Sequence, residues 1–273
     1  MRPTIACLAC AVLLMTSGCD SGPTYPKARL ADSLQQVFHE DRLGTSVRFV
    51  DHTIAVHLDY PDALSQGGGS IGIGPAFDEA SRKVLVDIHR VLLSTDAKVD
   101  FYVLLLSDPK TPGAYLTIVR YLDDVRRANA NMLDTPEMLA RTIFELNFLP
   151  RRTLTLEQYV PRDIKIGEFL SWQLARRIQR ALTEQAQTFG AIEVGRCGGE
   201  FRDGEFVFTL NVAPMNEGAL DDATMQRMFQ ASTNVIAKVL SSYRFESFNS
   251  VRLIHLLTGR NLVLPKTHLQ IFR

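Results

Sequence analysis

Residues 67–72 read GGGSIG and satisfy two catalytic patterns at once. The first, third and sixth positions match G-x-G-x-x-G, in which glycines let the backbone approach the pyrophosphate of a dinucleotide. The second, fourth and sixth positions match G-x-S-x-G, in which a strained turn presents a nucleophilic serine, here Ser70. The stretch therefore raises two hypotheses, a cofactor site and a serine hydrolase.

The flanking residues argue against both hypotheses. Each pattern needs a strand that leads directly into the glycines and a helix that begins directly after them. Here residues 60–66 separate the preceding apolar run from Gly67, and Ile73-Gly74-Pro75 delays the next helix, because glycine and proline are poor helix residues. We expect a glycine-rich connector and no cofactor. Ser70 stays an alternative nucleophile, since possible triad partners follow it in the chain: Asp96 or Asp100, and His255 or His268.

A metal site is also conceivable around three polar residues of the N-terminal half. His57 and Asp59 lie two apart on a predicted strand and therefore share one face, and His52 lies across a predicted hairpin. The chain has no His-x-x-x-His or Cys/His ligand spacing, which a structural or catalytic zinc site would favour. We therefore expect exposed polar strand positions and no metal.

The N-terminus has the pattern of a secretory signal peptide. One basic residue, Arg2, precedes an unbroken run of apolar and small residues at 5–15, and small residues follow. About 20 apolar residues are needed to span a bilayer as a helix, so this run is too short for a permanent anchor. We predict a signal peptide at residues 1–18 and a polar tether at 19–27.

The end of this leader resembles that of bacterial lipoproteins. In that family small residues precede a cysteine that becomes the lipidated N-terminus, and Ser17, Gly18 and Cys19 match this box, with Thr16 where leucine is usual. The resemblance implies lipidation of Cys19 and membrane attachment. It also implies that Asp20 sorts the protein to the periplasmic face of the inner membrane, rather than to the outer membrane.

Cysteine content agrees with an exported protein, and the charge balance argues against a nucleic-acid-binding protein. The four cysteines are Cys7, Cys10, Cys19 and Cys197. With the first two in the leader and Cys19 lipidated, Cys197 has no partner in the mature chain, and we expect a buried, inert thiol. Thirty basic and thirty acidic residues cancel, so the chain lacks the basic footprint of a nucleic-acid-binding protein.

Hydrophobic periodicity predicts the same order of elements twice. Apolar residues recur at helical spacing at 28–42 and 77–93, and strand-like runs occur at 47–49, 54–58, 100–107 and 114–122. The C-terminal part repeats this order with helices at 163–189 and 221–240 and strands at 192–197, 205–212, 250–257 and 262–272. Asp203-Gly204 is a strong hairpin signal within it. A helix capped by Thr135 and running to about Phe148 is predicted between the two parts.

These patterns predict an α+β fold of two tandem αββαββ units, with antiparallel sheets and helices packed on one face. The first unit is expected at residues 28–132, a helical linker at 133–162 and the second unit at 163–273. The sequence contains no converging catalytic constellation. We therefore expect a non-enzymatic binding or scaffold module in the cell envelope, with a protein partner. The alternatives are a serine hydrolase that uses Ser70 and a periplasmic carrier of lipid or glycan.

A cluster of basic residues at 151–180 is a second possible membrane contact. Three of its arginines lie off the apolar stripe of a predicted helix, which suits either anionic headgroups or solvent. These three are Arg176, Arg177 and Arg180.

Overall fold

The computed structural model describes residues 24–67, 70–148, 155–190, 192–215 and 220–269. The predicted signal peptide and residues 19–23 of the predicted tether, which include Cys19 and Asp20, lie outside these residues. No helix in the described ranges is long and apolar enough to cross a membrane.

Within these ranges the chain forms seven α-helices and thirteen strands. The helices are α1 (Leu30–Glu40), α2 (Phe77–Leu92), α3 (Leu122–Asn129), α4 (Thr135–Arg141), α5 (Leu156–Tyr159), α6 (Ile166–Glu184) and α7 (Asp222–Tyr243). The strands are β1 (Thr45–Val50), β2 (Thr53–Asp59), β3 (Leu64–Gly67), β4 (Ser70–Ile73), β5 (Phe101–Ser107), β6 (Ala114–Tyr121), β7 (Ile143–Phe148), β8 (Ile192–Val194), β9 (Gly198–Arg202), β10 (Glu205–Leu210), β11 (Val212–Pro214), β12 (Ser250–His255) and β13 (Asn261–Pro265).

The strands form a five-stranded sheet, a four-stranded sheet and two short two-stranded sheets. The five-stranded sheet has the order β1-β2-β5-β6-β7, and the four-stranded sheet has the order β13-β12-β10-β9. The fold is therefore α+β, as the sequence predicts. The prediction of antiparallel sheets is wrong, because β10 and β12 pair in parallel between two antiparallel hairpins. The crossover through α7 returns the chain to the same end of the sheet, which makes the two strands parallel.

Two predicted hairpins are confirmed. Val50 pairs with Thr53 across Asp51-His52, and Arg202 pairs with Glu205 across Asp203-Gly204. In the second loop both central residues have positive φ, 53° at Asp203 and 77° at Gly204. Such a turn matches the twist of the strands it joins, which is why an Asp-Gly pair predicts it.

The helix predicted from Thr135 to about Phe148 is shorter than expected. Asp134, not Thr135, is the N-cap, and its side chain accepts a hydrogen bond from the Glu137 N–H at 2.8 Å. The helix ends at Arg141, and the following residues form the edge strand β7. Along this strand Ile143, Glu145 and Asn147 lie on one face. The residue pattern therefore changes from the period of a helix to the period of a strand within the segment that was predicted as one helix.

The chain divides into two compact units. The first takes the described residues up to Asp100, with Leu104–Leu116 and Leu146–Tyr159. The second takes Phe101–Val103, Thr117–Glu145 and the described residues from Val160 onward. The domain boundaries that the sequence suggests stay a prediction.

In the first unit, β2 and β5 run in parallel and α1 and α2 run antiparallel. Asp100 N donates to His52 O at 2.8 Å at the start of the strands, and Tyr60 N donates to Ser107 O at 3.0 Å just past their ends. Tyr25 forms a bridge with Thr95, so α1 begins where α2 ends. We call this the tether end of the unit. We call the carboxyl ends of β2 and β5 the loop end.

In the second unit, one face of the four-stranded sheet is buried and the other is partly exposed. Buried and half-exposed residues alternate along β10 and β12, with Phe206, Phe208 and Leu210 inward on β10 and Val251 and Leu253 inward on β12. The helix α6 packs on this sheet, and α7 packs on α6.

A buried ion pair joins α3 to α4 in the second unit. Arg141 Nη1 lies 2.7 Å from Asp124 Oδ1, and the two side chains are 4% and 2% exposed. Arg141 Nε also donates to Glu137 Oε1 at 2.8 Å, one helical turn earlier. Taking two charges out of water is costly, so such a pair stabilises a protein only when its other polar atoms are also bonded.

The two long helices provide those bonds. Tyr243 of α7 donates from its hydroxyl to Asp124 Oδ2 at 2.6 Å, and the Arg141 guanidinium lies 4.4 Å above the Tyr243 ring. Gln173 of α6 donates to the Tyr243 hydroxyl and to the Arg141 carbonyl, both at 2.9 Å. We call these four residues, with Glu137, the Asp124–Arg141 network. It ties four helices together at one buried point.

Loss of the arginine from this network should strongly destabilise the protein. We expect Arg141→Met to lower the free energy of unfolding by about 3–5 kcal/mol, because it leaves the Asp124 carboxylate buried without its cation. The measurement is urea denaturation followed by circular dichroism. Arg180→Met is the control, since Arg180 pairs with Glu184 at 2.7 Å on the surface and is 76% exposed. Its effect should stay below about 0.5 kcal/mol. Equal effects of the two substitutions would contradict the prediction.

Candidate functional site

Polar side chains converge at the loop end of the first unit. His57 Nε2 lies 2.8 Å from Ser107 Oγ, and Ser107 Oγ lies 2.9 Å from Asp59 Oδ1. His57 and Asp59 share one face of β2, as the sequence predicts, and Ser107 reaches them from the end of β5. The parallel pairing of the two strands is what brings the three together.

The hydroxyl of Ser107 is the middle member of this chain. It donates its proton to the Asp59 carboxylate, so the His57 ring donates from Nε2 to the serine oxygen. In a nucleophilic triad the imidazole stands in the middle and accepts the serine proton. The order here therefore differs from that of a nucleophilic triad, because the imidazole is not the group that accepts the serine proton.

Burial lowers the pKa of His57, and the nearby Asp59 charge only partly opposes this effect. A half-buried imidazole loses hydration when it becomes charged, which favours the neutral ring. At neutral pH the loop end therefore presents a neutral donor beside one carboxylate.

Asp108 fixes the loops around this cluster. Its side chain is buried, with Oδ2 accepting from Leu64 N at 3.0 Å and Oδ1 accepting from Lys110 N at 2.8 Å. Lys110 Nζ in turn lies 2.7 Å from Asp62 Oδ2. These bonds attach the segment that begins at Leu64 to the end of β5.

That segment is the glycine-rich stretch, and its interpretation as a plain connector is wrong. The strands β3 and β4 pair antiparallel, with Leu64 opposite Ile73 and Gly67 opposite Ser70. Residues 68 and 69 lie outside the described ranges. Gly74 closes the base of the hairpin, where a Cβ atom would lie 2.2 Å from the Asp62 carbonyl oxygen. Only glycine allows this approach.

Ser70 has no triad-like environment in this hairpin. Its hydroxyl is exposed and donates to the Gly67 carbonyl at 3.0 Å. Among its suggested partners, His255 is 1% exposed and contacts Thr258 Oγ1 and the Val212 carbonyl, both at 2.8 Å. Asp96 accepts from the backbone of Lys27. Each of these two residues thus has a local structural role.

The other chemistry considered from the sequence is metal binding and the reactivity of Cys197. Among the described residues, no group of three or more His, Cys, Asp or Glu side chains is placed to hold a metal ion. Cys197 is buried, and burial raises the pKa of its thiol, which makes it a poor nucleophile.

The basic face predicted on α6 is occupied by ion pairs. Arg177 Nη2 lies 3.1 Å from Glu137 Oε1, and Arg180 pairs with Glu184. Arg176 donates to the Phe144 carbonyl and lies 3.7 Å from Glu145. These contacts hold the three arginine side chains against other residues of the second unit.

A shallow cleft of about 330 Å³ lies on the partly exposed sheet face of the second unit. Glu205 within it accepts hydrogen bonds from Ser250 Oγ and from Arg252 Nη2, both at 3.1 Å. Seven residues line it: Glu200, Arg202, Asp203, Glu205, Val207, Asn249 and Ser250.

Ser107 is the residue that sequence reasoning missed. It ends the apolar run FYVLLL, and a polar residue just after a buried strand is a usual position for a site residue. The signal was present, but only the pairing of β2 with β5 shows that His57 and Ser107 meet.

The state of His57 can be tested by pH titration. We expect its pKa below about 6.5, and a further decrease in Asp59→Asn, because the carboxylate favours the charged ring. The unfolded chain then binds the proton more readily than the folded chain does. This group's contribution to the free energy of unfolding therefore decreases as the pH falls below the ordinary pKa of the His57 imidazole. The measurement is NMR of the imidazole. Asp62→Asn is the control and should leave the pKa unchanged. A pKa above the ordinary value would contradict the assignment.

No protein-family model matches the sequence, and no curated protein is similar to it.

Proposed function

We propose that this chain is a bacterial envelope lipoprotein, anchored through lipidated Cys19 at the periplasmic face of the inner membrane. Its folded part is a non-enzymatic binding or scaffold module for another envelope protein. The N-terminal leader, the box Ser17-Gly18-Cys19 and Asp20 support the anchor.

One observation carries the binding role. The chain enters the first unit at the tether end, and the exposed hairpin and polar loops lie at the opposite end. The helix α2 runs between these ends and has 16 residues, which corresponds to about 24 Å. The loop end therefore faces away from the attachment point and suits contact with a partner.

The arrangement of the polar groups supports binding rather than hydrolysis. Both serines near the loop end donate to local acceptors, Ser70 to a carbonyl and Ser107 to a carboxylate. At the same end Ile73 is 59% exposed. An exposed aliphatic group surrounded by donors and acceptors is a usual composition for a protein contact.

We also propose that the two main sheets belong to two copies of one αββαββ unit. The strand order β1-β2-β5-β6 matches β9-β10-β12-β13, and in each case the helix between the hairpins makes the two middle strands parallel. If superposition of the two sets leaves the strands out of register, the repeat is rejected.

The anchor is tested by substitution of the predicted acylation site. We expect Cys19→Ala to abolish incorporation of labelled palmitate and to release the protein from membranes, because the acyl chains are its attachment. Cys197→Ala is the control and should keep both properties. Labelling that persists in Cys19→Ala would overturn the proposal.

The partner is tested by photo-crosslinking in cells of the native expression host. We place a photoreactive residue at Ile73, at the loop end, or at Val86 on α2, since both side chains are 59% exposed. A specific protein adduct is expected from position 73 and not from position 86. Equal adducts, or none at position 73, would contradict a partner at the loop end.

Two further measurements on the protein distinguish the hydrolase and carrier alternatives. Fluorophosphonate labelling that disappears in Ser70→Ala or Ser107→Ala would favour the hydrolase. A lipid or glycan that co-purifies in native mass spectrometry would favour the carrier.

A further inference from the structure

A buried carboxylate lies in the first unit where α1 ends against α2. The side chain of Asp87, in the carboxyl-terminal half of α2, is 4% exposed, and its Oδ1 lies 3.2 Å from Arg90 Nη2 on the same helix. Its Oδ2 is enclosed, and no donor among the described residues bonds to it. An enclosed carboxylate oxygen without a donor is unfavourable, so the protonation state of Asp87 must differ from that of a surface acid.

The group that faces Asp87 from α1 is a second carboxylate. Asp41 is the C-cap of α1, and its carboxyl group lies within hydrogen-bonding reach of the Asp87 carboxyl group. Two ionised carboxylates repel each other, and a hydrogen bond between them exists only when one of them holds a proton. The position of Asp41 adds to the repulsion, because the carboxyl end of a helix is its negative end.

The neighbouring cations do not cancel this repulsion. Arg90 is 52% exposed, and Lys83, which is attracted to Asp41, donates to Glu79 Oε1 at 3.0 Å. Burial raises the pKa of Asp87 to about 6, Asp41 adds to the rise, and Arg90 partly opposes it. The other titratable or charged side chains on the neighbouring turns of the two helices are His39, Glu40, Arg42 and His89.

We propose that Asp41 and Asp87 share one proton and form a proton-binding site between α1 and α2. At mildly acidic pH the proton bridges the two carboxyl groups. Its loss leaves two like charges in contact, one of them buried, and loosens the carboxyl end of α1 from α2. The inference depends neither on the lipid anchor nor on a partner at the loop end.

A proton fits this site better than a metal ion does. A divalent cation that prefers carboxylates takes six or more oxygen ligands, and in the described ranges no third acidic, histidine or cysteine side chain joins these two. The Arg90 guanidinium at Asp87 Oδ1 would also repel a second cation.

The carboxyl end of α1 is connected to the polar cluster at the loop end. After Asp41 the chain turns at Arg42, where φ is 58°, and the Gly44 carbonyl accepts from Asp59 N at 3.3 Å. Asp59 is also the carboxylate that accepts from Ser107. Loosening of the segment after α1 therefore reaches the strand end that holds this cluster.

The proton is tested by hydrogen exchange of the full-length protein at pH 5 and pH 7.5, corrected for intrinsic exchange rates. The reporter is the Leu43 N–H, which donates to the Phe38 carbonyl at 2.9 Å. A group with a pKa of about 6 when closed and about 3.9 when hydrated should lower the protection factor about tenfold between these pH values. Unchanged or increased protection at pH 7.5 would overturn the inference.

The same exchange experiment has two matched variants on α2. Asp87→Asn should abolish the tenfold decrease, because the amide cannot release a proton. Asp78→Asn removes an exposed carboxylate from the first turn of the helix and should keep the decrease. A decrease that persists in Asp87→Asn, or that both variants lose, would contradict the shared proton.

The stability of Asp87→Asn separates a shared proton from an ordinary ion pair. Asparagine resembles the protonated acid and can still donate to Asp41, so the variant should be more stable to urea than the unsubstituted protein at pH 7.5. This advantage should disappear by pH 4.5, since a raised pKa stabilises the folded state only at low pH. The titration of His57 is common to both proteins and cancels. A loss of stability at pH 7.5 would instead show that Asp87 acts through Arg90, and the inference would fail.

Carbon NMR of the Asp87 carboxyl group locates the proton directly. We expect a pKa near 6 that falls toward the ordinary value in Asp41→Asn, because the new amide donates to the carboxylate and carries no charge. If Asp87 of the unsubstituted protein titrates at about 3.9, solvent supplies the donor to Oδ2 and the inference is overturned.

Discussion

The parallel pairing of β2 with β5 is the constraint on which the first unit depends. Each strand belongs to an antiparallel hairpin, and α2 carries the chain back between them, so the two carboxyl ends meet at one edge. This places His57 and Asp59 beside Ser107, and it places the start of the glycine-rich hairpin beside Asp108. It also separates the loops from the entry of the chain by the length of α2. The placement of the chain entry and the polar loops at opposite ends of the unit follows from that pairing.

The second unit depends on a different kind of interaction. The Asp124–Arg141 network buries opposite charges among four helices, and burial raises the pKa of Asp124 even though Tyr243 and Arg141 both bond to its carboxylate. A buried pair of this kind contributes little net energy compared with apolar packing, but an unpaired member is very unfavourable. The network therefore penalises any arrangement of α3, α4, α6 and α7 in which one partner is missing, so it specifies their mutual positions more than it adds stability.

Most local structure was predictable from residue pattern. Helical spacing located α1, α2, α6 and α7 to within a few residues at most ends, and the Asp203-Gly204 turn was predictable because two positive φ values are needed there. The change from helix to strand after Arg141 was not, since Ile143 to Phe148 contains apolar residues compatible with either period. The glycine-rich arms were also unpredictable as strands, because glycine has little intrinsic preference for a strand and β3 and β4 are stabilised by pairing with each other and by Asp108.

The sequence by itself determined the α+β class, the helices α1, α2, α6 and α7, and the absence of either glycine motif's strand-to-helix context, while the leader with its cysteine box stays a prediction. These depend on neighbours within a few residues, where spacing and side-chain type carry the information. Tertiary structure alone decided that the sheets are mixed, that Ser107 stands between His57 and Asp59, and that Arg141 is a buried partner of Asp124 rather than a surface charge. Those outcomes depend on which strands pair and which helices pack, and residues 17 to 119 positions apart meet only when the whole core has formed.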